Sequence, residues 1–179
     1  MTGLEMSAAR PDELPLVEGL LIGAGEWLAS LGSDQWQFPP RRARLLESMG
    51  RGECFLAFQD GRPVGTLTVD EQADPEFWRA DDAPETALYV HRMAIARDMA
   101  GQAVGARMLD WAAARAVAAR KSKLRLDAWK TNPALHRYYL GQGFTLVRTV
   151  DLPHRQSGAL FERDVSMAAP GQAVGPVKT

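Results

Sequence analysis

The sequence predicts a single α/β domain in which helices pack on a partly antiparallel sheet. Three observations support this fold class. Short apolar runs typical of strands alternate with segments of helical periodicity, an Asp-Gly pair separates two of these runs, and a strand, a helix and another strand follow one another in the centre of the chain. The length of 179 residues, with 46% hydrophobic and 24% charged residues, fits one domain with a core of ordinary size.

The first half of the chain is expected to supply three strands and two helices. In order, these are a strand at 4–9, a helix within 10–32, a second helix within 39–52, and strands at 53–59 and 63–71. The first helix should begin near Asp12 and stop at Gly32. Asp60-Gly61 favours a tight turn, so the two strands that flank it are predicted to pair antiparallel.

The second half is expected to supply the remaining four strands and two helices. In order, these are an irregular loop at 72–86, a strand at 87–96, a helix from Val104, a strand at 123–129, a short helix within 132–144, and strands near 144–152 and 159–167. Residues 1–168 are predicted to form the domain. Residues 169–179 have no periodic face and are predicted to be a disordered tail.

The net charge and the composition of the chain argue against several classes of function. The net charge of −1 argues against an electrostatic grip on nucleic acid or anionic lipid. No apolar run is long enough to span a bilayer, and the first residues lack the pattern of a signal peptide, so a cytoplasmic location is expected. The single cysteine, Cys54, allows no internal disulfide and is interpreted as a small core residue.

The connection before the helix at Val104 has features of an anion site. Gly101 and Gly105 lack a Cβ, so they can take positive φ and let a ligand approach the backbone. The first helical turn carries no carboxylate, so its N–H groups are free to attract a phosphate. The loop lacks the endings of a P-loop or a Rossmann turn, which argues against a nucleoside triphosphatase or a dehydrogenase. A plain packing connection is the alternative for this loop taken alone.

The short helix before the last two strands is well delimited. Asn132 suits the N-cap, Pro133 the first helical position, and Gly143 the left-handed position after the helix. Tyr138 and Tyr139 are neighbours on this helix, and their spacing alone does not decide which of them faces a ligand.

These two segments together resemble the GNAT superfamily of acyl-CoA-dependent N-acyltransferases, over nearly all of residues 1–168. The family's pyrophosphate loop has the pattern Arg/Gln-x-x-Gly-x-Gly/Ala. The chain matches its strand-loop-helix setting with Ala100 at the Arg/Gln position, Ala103 at the first glycine and Gly105 at the second. Two of these three positions therefore depart from the pattern.

The second motif fits the family more closely. The family's Asn-(x)6-Tyr-(x)3-Gly-Phe matches Asn132, Tyr139 and Gly143-Phe144. The resemblance implies a mixed, mostly antiparallel sheet of about seven strands with about four helices, splayed between the fourth and fifth strands to hold acetyl-CoA as cosubstrate, with no metal. The residues implied to bind the cofactor are Met93, Ala94, Ile95, Ala100, Gly101, Gln102, Ala103, Val104, Gly105, Ala106, Asn132 and Tyr139.

The implied reaction is attack of a primary amine on the thioester of acetyl-CoA in a ternary complex. The resemblance implies that the Tyr139 hydroxyl donates a proton to the leaving thiolate. A backbone N–H of Ala94 or Ile95 could stabilise the oxyanion that forms on the thioester carbonyl. An amine must lose a proton before it attacks. His91 and Asp127 are the candidate bases that we carry forward, with Glu26 and Asp34 as further alternatives.

The acceptor pocket in this family lies near the first two helices and the loop before the fourth strand. This chain contributes carboxylates and tryptophans there, which suit a cationic amine. The candidate substrate-binding residues are Glu26, Trp27, Asp34, Trp36 and Trp78. Solvated loop charges and helix-packing tryptophans are the alternative interpretation of the same residues.

The expected partner is therefore a small-molecule amine, with no nucleic acid and no membrane, and a homodimer is a further option. A non-catalytic acyl-CoA sensor of the same fold is an alternative function, which the departures at Ala100 and Ala103 favour. An interaction module that uses its sheet edge is a third, and it predicts no CoA binding.

Overall fold

A computed structural model describes residues 3–36 and 39–165 of the chain. Its seven strands form one sheet in the order β1-β2-β3-β4-β5-β7-β6. The strands are β1 (Glu5–Ala8), β2 (Cys54–Gln59), β3 (Arg62–Asp70), β4 (Ala87–Ile95), β5 (Lys123–Trp129), β6 (Thr145–Thr149) and β7 (Ser157–Asp164). The α-helices are α1 (Leu14–Ser30), α2 (Arg42–Gly50), α3 (Val104–Ala118) and α4 (Pro133–Gly141). The tail at 169–179 and the domain boundary at 168 lie outside the described residues.

The sheet is antiparallel except between β4 and β5, which confirms the expected mixed, mostly antiparallel fold. The turn between β2 and β3 is the predicted one, because Asp60 and Gly61 both have positive φ, at 54° and 73°. The N-cap of α4 is also confirmed, since the Asn132 side chain accepts a hydrogen bond of 3.0 Å from the Leu135 N–H. Gly143 takes the predicted left-handed conformation, with φ of 81°.

Boundaries differ from the predictions at two places. A short 3-10 turn at Pro11–Glu13 precedes the first helix, so α1 begins at Leu14 and not near Asp12. The last hairpin is also shifted, because β6 ends at Thr149 and β7 begins at Ser157, with the Val150 N–H bonded to the Gly158 carbonyl at the end of the ladder.

The two faces of the sheet bury separate cores. On one face, α3 and α4 pack on the sheet through residues such as Met108, Leu109 and Tyr139. On the other face, α1 and α2 pack through Leu21 and Leu45 among others. Cys54 belongs to this second core, where burial raises the pKa of its thiol, in agreement with the structural role predicted for it.

The loop between β3 and β4 is fastened to the sheet by two arginines. Arg125 donates a hydrogen bond of 2.7 Å to the Asp82 carbonyl, and Arg148 donates two to the Asp82 carboxylate. These bonds from Arg148 hold the pKa of Asp82 at about 2. The loop that borders the cleft described below is therefore fixed in place. None of the helices in residues 3–36 and 39–165 is both long and apolar enough to cross a membrane.

The central feature of the sheet is the separation of β4 from β5. Their parallel pairing covers only Ala87 with Lys123, Leu88 with Leu124, and Tyr89 with Arg125. Both strands continue beyond these pairs, with β4 bonded to β3 on one side and β5 to β7 on the other. The facing edges of β4 and β5 therefore stay unpaired and diverge, which confirms the splayed sheet that the resemblance implied.

Candidate active site

A continuous cleft of about 1840 Å³ opens where β4 and β5 diverge. The last residues of both strands line its middle. One end, which we call the loop end, is formed by residues 100–106 before and at the start of α3. The opposite end, which we call the far end, is formed by residues 33–36 between α1 and α2 and residues 70–75 after β3. One long ligand can therefore reach from the loop end to the far end.

The loop end presents free N–H groups. Gly101 and Ala103 both have positive φ, at 79° and 56°, and this reversal turns the chain into α3. The first helical bond beyond the turn joins the Arg107 N–H to the Ala103 carbonyl at 3.1 Å, so the N–H groups of residues 104–106 have no acceptor within the helix. No carboxylate lies in this first turn. The donor set and the positive end of the helix dipole fit a pyrophosphate.

All of the predicted cofactor residues except Gln102 line the cleft. The Gln102 N–H donates instead to the Met99 carbonyl at 3.2 Å, and its side chain reaches the Asp98 carbonyl at 3.3 Å. These local bonds keep Gln102 on the outside of the loop. The prediction for this residue is therefore corrected.

Gly105 is required for close packing and not for an unusual backbone angle. It lies in α3 and is not among the glycines with positive φ, so the freedom of glycine to take positive φ is used at Gly101 but not at Gly105. A Cβ at Gly105 would collide with the Tyr138 hydroxyl and the Ile95 Cδ1 atom. The absence of a side chain therefore lets α3, α4 and β4 meet at the loop end.

The two tyrosines of α4 have different surroundings. The Tyr139 ring packs against Phe144 and Phe161, with centroids 5.7 Å away in each case. Tyr139 still lines the cleft, and burial raises the pKa of its hydroxyl strongly, so the group stays protonated at neutral pH. Tyr138 is less buried and its hydroxyl lies against Gly105. Within the described residues, neither hydroxyl of this pair has a hydrogen-bond partner in the chain, and both tyrosines line the cleft.

The backbone of β4 carries a bulge that faces the cleft. Thr66 pairs with Ala94 but Thr68 pairs with His91, so β4 has one extra residue in this interval, and Arg92 takes a positive φ of 48°. Beyond the bulge the Ala96 N–H bonds to the Val64 carbonyl at 2.8 Å. Because antiparallel bonding alternates, the Ile95 N–H points away from β3 and into the cleft, whereas the Ala94 N–H points to β3.

Both candidate bases line the cleft. The His91 Nε2 atom lies 3.1 Å from the Asp70 Oδ1 atom, and the Asp70 side chain is only 10% exposed. Asp127 lies on β5, and its charge contributes to the raised pKa of Tyr139, which places it near that hydroxyl. The cleft is therefore lined by an imidazole–carboxylate pair on β3 and β4 and by a carboxylate on β5.

Two hydrogen bonds span the cleft at the far end. The Trp129 indole donates to the Asp34 carboxylate at 2.8 Å, and the Asn132 amide donates to the Gln35 side-chain oxygen at 3.0 Å. The side-chain oxygen of Asn132 accepts the capping hydrogen bond of α4, so both polar groups of its side chain are already engaged. Asn132 lines the cleft as predicted, and its contacts shape the wall.

The predicted acceptor residues are only partly brought together. Trp27, Asp34 and Trp36 line the cleft. The Trp27 ring is already covered by the Arg97 guanidinium, 4.2 Å from its centroid. Glu26 lines a separate cavity of about 450 Å³.

Trp78 does not reach the cleft, which corrects its predicted role. It is buried against Tyr89, and the Arg125 guanidinium lies 4.6 Å above its ring. The arginines that fasten the loop between β3 and β4 therefore also hold this tryptophan in the core.

Sequence reasoning missed several polar residues that line the cleft, among them Arg44, Asp70 and Arg92. Asp70 is the second-last residue of the strand predicted at 63–71, and the pairing of that strand with the next would have placed it near His91. No periodicity signal identifies Arg44 or Arg92, because long charged side chains on a helix face or a strand are usually solvated.

Comparisons with known proteins show which family the chain resembles. The Acetyltransferase (GNAT) family profile matches residues 23–144. "Uncharacterized N-acetyltransferase YesJ" of Bacillus subtilis (strain 168) is 33% identical over 134 residues, which cover 72% of this chain and 74% of that protein.

Two solved structures show the same fold. A GNAT-family acetyltransferase from Listeria monocytogenes 4b F2365 superposes with a TM-score of 0.76 at 20% identity, covering 92% of this chain and 98% of that one. YncA from Salmonella typhimurium, solved with its cofactor acetyl-CoA, has a TM-score of 0.65 at 13% identity, covering 96% and 99%.

The positive φ at Ala103 predicts an unusual response to glycine. A left-handed L-residue costs about 1–2 kcal/mol, which glycine relieves, whereas the larger entropy that glycine gives the unfolded chain costs about 0.4–1 kcal/mol. Ala103→Gly is therefore expected to raise the free energy of unfolding, measured in urea, by about 0.5–1 kcal/mol. Ala114→Gly, at an exposed site inside α3, is the control and should lower it by about 1 kcal/mol. Equal losses in both variants would contradict the left-handed conformation.

Proposed function

The chain belongs to the GNAT family of acetyltransferases, and from this premise we propose that it transfers the acetyl group of acetyl-CoA to a primary amine by direct attack in a ternary complex. The observation that carries the proposal is the cleft between β4 and β5. It connects free N–H groups at the loop end, an unpaired strand edge in the middle and titratable side chains toward the far end. This order matches the order of pyrophosphate, pantetheine arm and thioester in the cosubstrate.

The pyrophosphate of acetyl-CoA would bind to the N–H groups of residues 104–106. The pantetheine arm would add to the free edge of β4 at Met93, Ala94 and Ile95, where the sheet lacks a neighbouring strand. The small side chains at Ala100 and Ala103 leave the approach to the N–H groups open. This arrangement puts the thioester near the bulge of β4.

The reaction then requires a hydrogen-bond donor that stabilises the oxyanion and a proton for the leaving sulfur. The amine nitrogen forms a bond to the carbonyl carbon, and the oxygen gains negative charge that the Ile95 N–H can stabilise. The C–S bond breaks, and the thiolate takes the proton of the Tyr139 hydroxyl. The products are the acetamide and the CoA thiol, and solvent returns a proton to Tyr139.

The attacking amine nitrogen of the acceptor must also lose a proton, which a base accepts. We assign this role to His91, because a hydrogen bond from its Nε2–H to Asp70 leaves the other ring nitrogen free to accept a proton. Asp70 is thus a positioning residue that holds the imidazole tautomer. Asp127 would attract the substrate ammonium across the cleft, and a carboxylate is the weaker base of the two.

The alternative of a non-catalytic acyl-CoA sensor is favoured by a single observation, the strained Ala103 in place of the family's glycine. A sensor needs the loop end and the edge of β4 but not the His91–Asp70 pair or Tyr139. The two functions therefore predict the same cofactor binding and opposite results for turnover.

The proposal predicts both binding and turnover. Millimolar acetyl-CoA should raise the melting temperature, because a ligand that binds only the native state stabilises it by mass action, whereas NAD and ATP should not. Release of free CoA thiol should be detected with members of a primary-amine panel. A shift without thiol release would support the sensor, and no shift with acetyl-CoA would contradict both functions.

The role of Tyr139 is tested against its neighbour. Tyr139→Phe should lower kcat about a hundredfold or more with little change in acetyl-CoA binding, because only the proton donor is removed. Tyr138→Phe is the matched control, since its hydroxyl lies at the loop end beside Gly105, and kcat should change by no more than about threefold. The reverse pattern would show that Tyr138 and not Tyr139 serves the sulfur.

A further inference from the structure

Two arginines at the far half of the cleft lack a carboxylate partner within residues 3–36 and 39–165. Arg44 projects from α2 and Arg92 lies at the bulge of β4, and both line the cleft beside His91 and Asp70. Neither guanidinium forms an ion pair or side-chain hydrogen bond among the described residues, although the cleft contains several acidic groups.

The other arginines that line the cleft are already occupied. Arg51 pairs with Glu53 at 2.8 Å, and Arg155 pairs with Asp74 at 2.8 Å. Arg97 lies over the Trp27 ring. Among the described residues, Arg44 and Arg92 are therefore the arginines of the cleft that have neither an ion pair nor an aromatic ring against the guanidinium.

The position of Arg92 is electrostatically unfavourable without a ligand. Burial lowers the pKa of Arg92, and the nearby positive charge of Arg44 lowers it further. Asp70 gives partial relief, but its Oδ1 atom is engaged by His91. In addition, Arg92 holds a left-handed backbone conformation that L-residues rarely adopt. Two like charges, one of them on strained backbone, are typical of a site whose anion comes from outside the chain.

The opposite charge is available on the other side of the cleft. Asp127 lines the cleft from β5 without a salt bridge in the described part of the chain, and it lies near the Tyr139 hydroxyl. One substrate could therefore present an ammonium toward His91 and Asp127 and an anion toward the two arginines.

We propose that the acceptor is a primary amine that also carries a carboxylate, with the carboxylate held between Arg44 and Arg92 and the amine directed to His91 and Asp127. This inference rests on the acetyltransferase function proposed above and names the substrate class of the same site. Guanidinium forks match the planar geometry of a carboxylate, whereas a polyamine would be repelled by them. The expected acceptors are thus amino-acid-like and not purely cationic.

The test compares acceptors that differ only in the carboxylate. L-Leucine, L-phenylalanine and L-glutamine are each assayed for CoA thiol release beside their carboxamides, with spermidine as the cationic probe. The acid should exceed its amide in kcat/KM by about tenfold or more for at least one of the pairs, because one charge-assisted contact is lost in the amide. Arg44→Gln and Arg92→Gln should each reduce this acid-to-amide ratio to near one.

Arg42→Gln is the matched control, because Arg42 lies on the same helix as Arg44, is exposed, and pairs with Glu18 outside the cleft. It should leave the ratio unchanged. Thermal melting in acetyl-CoA checks that each variant folds and binds the cosubstrate. If Arg92→Gln fails to fold, Arg44→Gln decides the question alone, since Arg44 is exposed on α2.

The outcomes separate this inference from the function on which it rests. Turnover of amides or spermidine that equals or exceeds turnover of the acids would overturn the carboxylate site and leave the acetyltransferase intact. An unchanged acid-to-amide ratio in Arg44→Gln and Arg92→Gln would also overturn it. Absence of both a melting shift and thiol release would overturn the acetyltransferase function, and the inference with it.

Discussion

The separation of β4 from β5 after three residue pairs is the constraint on which the rest of the molecule depends. A sheet edge buried in a protein must satisfy its backbone groups, and here the edge of β4 opens into a cleft. The bulge at Arg92 strengthens the divergence, because an extra residue bends and twists the strand that carries it. The site is thus a gap left in the hydrogen-bonding of the sheet, and a ligand with its own amide groups can complete it.

Other contacts hold this gap at a fixed width. The bonds from Trp129 to Asp34 and from Asn132 to Gln35 connect the β5 side to the segment between α1 and α2. Close packing at Gly105 sets the distance between α3, α4 and β4 at the opposite end. The cleft is consequently held at both ends by contacts outside the two diverging strands, and its electrostatic character comes from residues placed on several different elements.

The sequence predicted the fold well because its signals are local. The Asp60-Gly61 turn, the Asn132 cap and the apolar runs each depend on a few neighbouring residues, and the structure confirms them. The site was predicted less completely, since it depends on which elements face one another. The pairing of Asp70 with His91 needs the register of β3 on β4, and the burial of Trp78 needs the arginines that fasten its loop. The positive φ at Ala103 was not predicted, because alanine rarely adopts it, although the family pattern has a glycine at this position.

Residue-resolved amide hydrogen exchange with and without acetyl-CoA tests the central claim most directly. If the free edge of β4 and the start of α3 hold the cosubstrate, exchange should slow at the Ile95 amide and at the amides of residues 104–106. The Ala96 amide, already bonded to the Val64 carbonyl, should change far less. Equal protection across β4, or protection confined to residues away from the cleft, would contradict the assignment of the gap between β4 and β5 as the acetyl-CoA site.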